Sequence, residues 1–191
     1  EARPLGDVTM SIRLLAGIEV DSAEPPKAMW ALSRTARKSR AVTALFEQGA
    51  HGLDARLRAS NDAEVKQFVA AFDDFLFHYG SRGANEYEAM TPSWEIYPDG
   101  ALGSIDRMRV TDDSQDPALR RATAVAERDR LAADIRAKLA GDPETLGLFN
   151  AALQSSAVFL GGRERAKTNV IKVIGEIKVA MREVARRMVE A

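Results

Sequence analysis

Arg163 and Lys167 stand four residues apart in the middle of a long apolar-periodic stretch that closes this 191-residue chain. Counting alternately three and four residues from Leu146 gives Leu146, Phe149, Leu153, Ser156, Leu160, Arg163, Lys167, Val170, Ile174, Ile177, Met181, Val184 and Met188. One continuous helix would set all of them on a single seam. Only Ser156, Arg163 and Lys167 in that series are polar. The other charges of the stretch (Glu164, Arg165, Lys172, Glu176, Lys178, Arg182 and Glu183) fall off it. Two cations on a buried face must meet acids, snorkel to solvent, or line a polar cavity that receives an anion, because an unpaired buried charge is costly. A phosphate or carboxylate would satisfy both, since Arg presents a planar fork and Lys a compact charge. Gly161 and Gly162 precede the pair, and two glycines inside a helix cost about 2 kcal/mol against alanine. A kink there would take the two halves of the seam off a common face. Structural ion pairing and ligand binding both remain open for Arg163 and Lys167.

A second group lies between Tyr79 and Pro98, in YGSRGANEYEAMTPSWEIYP. Arg82, Glu86, Glu88, Trp94 and Tyr97 crowd one irregular segment. In one reading Arg82 pairs with Glu86 or Glu88 while Trp94 plugs the end of a helical bundle. In the other, Arg82, Glu86 and Trp94 form a wall of a ligand cavity, as loops on rigid scaffolds often do. His51 and His78 are isolated from other ligand-type residues at metal-binding spacing, so no metal site is expected. No Ser–His–Asp logic, phosphate-cradling glycine loop or dinucleotide fingerprint is present.

The elements that must carry these residues read as helix almost throughout. Asp7 suits the cap of a short helix bearing Val8, Ile12 and Leu15. Pro25 and Pro26 suit the start of a second, with Met29, Trp30 and Leu32. Val42, Leu45 and Phe46 mark a third, stopped near Gly49, and Leu53 and Leu57 a short fourth. Asn61 with Glu64 reads as a capping pair. It opens a broad stripe of Val65, Phe68, Val69, Phe72, Phe75, Leu76 and Tyr79. Periodicity then lapses over 81–103, which holds Gly83, Pro92, Pro98 and Gly100; its aromatic residues argue for an ordered loop. Asp116 and Pro117 open a helix to Gly141, and Asp142 and Pro143 open the last one at once, implying an antiparallel pair. The expectation is an all-α fold: an irregular helical bundle, one domain over 1–191, with one long ordered loop and a long C-terminal helix.

Composition narrows the partners. A net charge of −1 gives no general pull toward nucleic acid or anionic membrane. The last helix is basic but interleaves Glu176, Glu183 and Glu190 without aromatic stacking platforms, so no nucleic acid is expected. No apolar run approaches a membrane span and no secretory signal is visible. Cysteine is absent, which excludes disulfides and thiolate metal sites and fits a reducing, cytoplasmic setting. The chain begins with Glu1, which suggests a piece of something longer.

The loop resembles a segment of phosphoenolpyruvate-utilising enzymes, whose pattern runs YGHRG, a glutamate three residues on, PRW and a later proline. Tyr79, Gly80, Arg82, Gly83, Glu86, Pro92, Trp94 and Pro98 match it in order; Ser81 replaces the usual His and Ser93 the usual Arg. The last helix is similar to the family too, through Arg163, Glu164 and Lys167 of an Arg-Glu-x-x-Lys run. The resemblance extends loosely over most of the chain, which looks like the helical domain that rifampin phosphotransferases have where true phosphoenolpyruvate synthases have a barrel. It implies the helical, acceptor-binding part of an ATP-dependent phosphotransferase, lying between an ATP-grasp domain and a mobile phosphohistidine domain. It implies a phosphoryl-transfer role for Arg163 and Lys167, a small-molecule acceptor, and ATP and Mg2+ in the parent enzyme with no cofactor in this segment. Alone, the segment is expected to be inactive. The competing expectation is a non-catalytic helical module that binds a protein partner or scaffolds an assembly.

Overall fold

A computed structural model of the chain describes residues 8–190. They form eight α-helices, α1 (Val8–Leu14), α2 (Glu24–Lys38), α3 (Arg40–Phe46), α4 (Leu53–Ala59), α5 (Ala63–Tyr79), α6 (Pro98–Arg109), α7 (Pro117–Lys138) and α8 (Pro143–Glu190). Single 3-10 turns precede α2 and α7, and there is no strand among the described residues. The fold is all-α, as the periodicity predicted. The residues divide into two compact units, one of 8–23 and 114–166, the other of 24–113 and 167–190.

The larger unit holds the apolar core. Met29, Leu32 and Ala36 of α2, Val42 and Phe46 of α3, and Leu53 and Leu57 of α4 are buried with the stripe of α5. Four aromatic rings of that unit are in register. Phe46 meets Phe68 edge-on at 5.7 Å, Phe68 stacks on Phe72 at 6.4 Å, and Phe72 on Phe75 at 6.0 Å. Offset and edge-on pairs of this kind add to simple area burial.

Local chemistry explains where the helices begin. Ser39 accepts the Val42 N–H at the head of α3. The cap of α5 is Asp62, which accepts from Glu64 N and Val65 N, and not Asn61 as expected. Two adjacent residues both suit a cap, and Asp adds a negative charge at the positive end of the helix. Glu64 accepts instead from the Ser39 hydroxyl at 2.5 Å. Helix α4 has no side-chain cap of its own and begins at Gly52, in the left-handed region at φ 68°. Its exposed N–H groups are satisfied from α6: Asp99 accepts from Gly52 N at 2.6 Å and Asp54 N at 2.9 Å. Arg34 of α2 closes the other end of α6, donating to Thr111 O at 3.1 Å, to Met108 O and to Asp113 at 2.5 Å.

Helix α6 corrects the expected loop. The irregular segment ends at Pro98, not Gly103, because Pro98 occupies the first turn, where its missing N–H costs nothing. Gly100 and Gly103 hid the period, yet Ala101, Leu102 and Ile105 are fully buried.

The smaller unit is built from α1, α7 and the first part of α8. Asp116 caps α7 through Ala118 N, and Asp142 caps α8 through the N–H and hydroxyl of Thr145. Gly17 (φ 70°) lets the turn after α1 close on α7: a Cβ there would lie 2.6 Å from a methyl of Val125. Helix α1 ends before Leu15, and its Ile12 is exposed. The expected cap, Asp7, lies outside the described residues. Helix α8 runs unbroken through Gly161 and Gly162.

Candidate functional site

The segment 81–97 is pinned at its base by two backbone bonds, Trp94 N to Arg82 O at 2.7 Å and Glu95 N to Gly80 O at 2.9 Å. Asn85 takes a left-handed φ of 50°, and Glu88 N closes the following turn on Asn85 O at 2.8 Å. Gly83 passes so close to the returning strand of the loop that a Cβ would sit 3.1 Å from Pro92 O. The matched glycine therefore has a packing reason. Trp94 packs against the core, its ring 5.7 Å from Phe75. The backbone bonds at its base and the packing of Trp94 hold the segment on the core.

Arg82 is the electrostatic centre of the loop and is only 6 % exposed. Its Nη1 donates to both carboxylate oxygens of Glu86, at 3.1 and 3.2 Å, and its Nη2 to Thr168 Oγ1 at 3.1 Å. Of the two pairings left open by sequence, Glu86 is the one formed. The backbone carbonyl of Glu86 accepts from Lys178 Nζ at 3.1 Å. Lys178 is 2 % exposed, so its ammonium is enclosed with the pair. One turn on, Arg182 donates to Met90 O at 3.3 Å. Gly175 completes the contact, since a Cβ there would come within 2.8 Å of Ser81 Cβ. The loop is thus bound to the face of α8 that carries Thr168, Gly175, Lys178 and Arg182. This joins two cations and one carboxylate in a poorly solvated cluster, with the planar Arg fork divided between Glu86 and Thr168.

Arg163 lies elsewhere than its spacing implied. Its side chain is 73 % exposed and donates to the adjacent Glu164 at 2.9 Å, while Glu164 is buried. Lys167 is half-buried. The expected seam holds from Leu146 to Leu160, whose 3–4 positions are half-buried, and then slips. Glu164, Ile171 and Lys178 are buried where Arg163, Val170 and Ile177 were expected. Met181, Val184 and Met188 are exposed as well. The cause is geometric: an alternating 3–4 step averages 3.5 residues, whereas a straight α-helix takes 3.6 and drifts about 20° per heptad. Counting at 3.6 from Leu146 arrives at Glu164, Ile171 and Lys178. Sequence reasoning therefore missed Glu164, Thr168 and Lys178, and the true helical period was the signal that could have found them.

Among the described residues no group of three or more His, Cys, Asp and Glu side chains is arranged to hold a metal ion. His78 lies 3.7 Å from Asp74 on an exposed face of α5. Among the same residues no helix is long and apolar enough to cross a membrane. A family model described as the rifampicin phosphotransferase fourth domain matches residues 4–164 of the chain. No curated protein matches it significantly.

Proposed function

From the premise that the chain belongs to the family of rifampicin phosphotransferase fourth domains, we propose that it is the acceptor-binding helical domain of an ATP-dependent phosphotransferase. The family match carries this reading. In it, a phosphohistidine on a separate, swivelling domain delivers its phosphoryl group to a hydroxyl of a small molecule held here. The transfer is a matter of placement and charge stabilisation, so cations able to reach the transferred group are the parts required. Arg163 and Lys167, one turn apart on α8, are the residues for that role. The exposure of Arg163 suits a group that arrives from outside this chain. Its partner Glu164 keeps the guanidinium oriented until the phosphate, a stronger anion, competes for it. Arg82 and Glu86 hold the shape of the loop, and Trp94 anchors it on the core, so that the loop presents a rigid wall to the acceptor. ATP and Mg2+ are assigned to other domains of the parent chain, with turnover in the cytoplasm.

Two measurements test this reading. The 191-residue chain, incubated with labelled ATP and candidate acceptors, is expected to transfer no phosphate. In the intact parent enzyme, Arg163→Ala and Lys167→Ala are each expected to lower turnover about 100-fold, the scale found when one charge-stabilising donor is removed. Near-normal turnover in both variants would sink the assignment. A second reading, a helical interaction module, is favoured by one observation: Val170, Ile177, Met181, Val184 and Met188 form an exposed apolar row on α8. Loss of a partner on Met181→Glu with full turnover retained would select it.

A further inference from the structure

The smaller unit contains a cleft that no motif of the sequence marks. Residues of α1, α7 and α8 border a volume of about 500 Å³. That is within the roughly 300–1,000 Å³ common to small-molecule sites. Its walls are apolar at Leu14, Ile18, Leu153 and Ala157, and the buried Ala132 forms part of its floor. Small side chains at 132 and 157 keep the space open.

The polar groups on the rim differ in charge balance. Arg128 donates to the neighbouring Asp129 at 2.9 Å, so that pair is self-compensated. Arg136 is not matched in this way. Its Nε donates to the amide oxygen of Asn150 at 2.8 Å, and its guanidinium lies 6.0 Å from the Phe149 ring centroid. Both partners are neutral, which orients the guanidinium without cancelling its charge. An oriented Arg beside an apolar wall favours a ligand with an apolar body and one anionic group. Gln154 and Asn150 add amide groups for a polar edge.

We propose that this cleft binds an apolar organic anion, its hydrocarbon body against Leu14, Ile18 and Leu153 and its acidic group on Arg136. The proposal goes beyond the acceptor-binding reading, which uses the loop at 81–97 with Arg163 and Lys167, and does not rest on it. Binding itself requires no phosphoryl transfer, so failure of the binding test and failure of the turnover test are separable.

The test uses the 191-residue chain and two fluorescent probes: 8-anilinonaphthalene-1-sulfonate, and N-phenyl-1-naphthylamine, which lacks the sulfonate. The chain is expected to bind one sulfonate probe with a dissociation constant on the order of 10 μM. Ala157→Trp, which fills the cleft, should weaken both probes at least about 10-fold. Arg136→Gln should weaken the sulfonate probe about 10-fold and the neutral one by less than about twofold, because only the anion uses the charge. Arg136 is on an exposed rim, so this variant remains informative should Ala157→Trp unfold, which far-UV circular dichroism reports. Met181→Glu, on the exposed apolar row of α8, should change neither affinity. The proposal is overturned by absence of saturable binding, by equal weakening of both probes in Arg136→Gln, or by loss of binding in Met181→Glu alone.

Discussion

Replacing Arg82 by alanine separates a structural from a ligand-binding role for the loop arginine. All the side-chain bonds described for Arg82 end on Glu86 and Thr168. Its removal therefore strands a carboxylate that is only 19 % exposed and forfeits a hydroxyl bond. Breaking one side of a buried ion pair costs about 3–5 kcal/mol, and the residual exposure of Glu86 lowers that toward about 2–4 kcal/mol. For a chain of this size each kcal/mol corresponds to about 2–4 °C, so about 3 kcal/mol should lower Tm by roughly 6–12 °C. Denaturant unfolding of the 191-residue chain, with Glu86→Gln and the double variant completing a cycle, isolates the pair. Limited proteolysis should find new cleavage within 84–91, where the loop is farthest from its backbone clamp. Arg82→Lys should recover only part of the loss, because an ammonium cannot reproduce the two-pronged geometry. A cost below about 0.5 kcal/mol, the range of an ordinary surface change, together with an intact loop, would refute the clamp and return Arg82 to the ligand-binding reading.

Gly175→Ala should destabilise the chain even though alanine is favoured over glycine in helices by about 1 kcal/mol, because its Cβ would lie 2.8 Å from Ser81 Cβ. Ser81→Gly should then restore stability, and full stability of Gly175→Ala alone would show that the loop and α8 do not meet there. Burial raises the Tyr79 hydroxyl above its ordinary pKa, with Glu24 adding to the effect. The neutral form is the one favoured by folding, so this contribution is complete below the unfolded tyrosine value and is lost as pH rises through the folded one. An absorbance titration at about 295 nm should lose its latest phase in Tyr79→Phe; an unchanged profile would contradict the assigned burial.

The parts of the fold that were legible in sequence are those in which several local rules agree. Helix α5 has an acidic cap and a seven-membered apolar stripe, and α7 opens on Asp116 and Pro117; both elements were readable. Helix α6 was not, because Gly100 and Gly103 break the apolar period around its buried residues Ala101, Leu102 and Ile105. That segment is helical through tertiary packing, which overrides weak propensity. The loop motif was legible as a set of residue types, but the partner of Arg82 was not, since Thr168 is 86 positions away. In α8 the apolar row was visible and its orientation was not. Apolar residues occupy two adjoining stripes, and only the contact of Gly175, Lys178 and Arg182 with the loop decides which one is covered.

The cap that Asp99 supplies to α4 bears on how the larger unit acquires its structure. Helix α4 has seven residues and no side-chain cap of its own, too short to persist alone in water. Its N–H groups wait for a carboxylate 45 and 47 positions further along the chain. Consolidation of α4 is thereby tied to the arrival of α6, and the closure of that interval carries an entropic cost that is met before either helix is rewarded. The α2–α3 and α5 segments, with caps and apolar neighbours close in sequence, can organise ahead of it. The α4–α6 junction is then a late event on the folding route, and an early one when the unit opens.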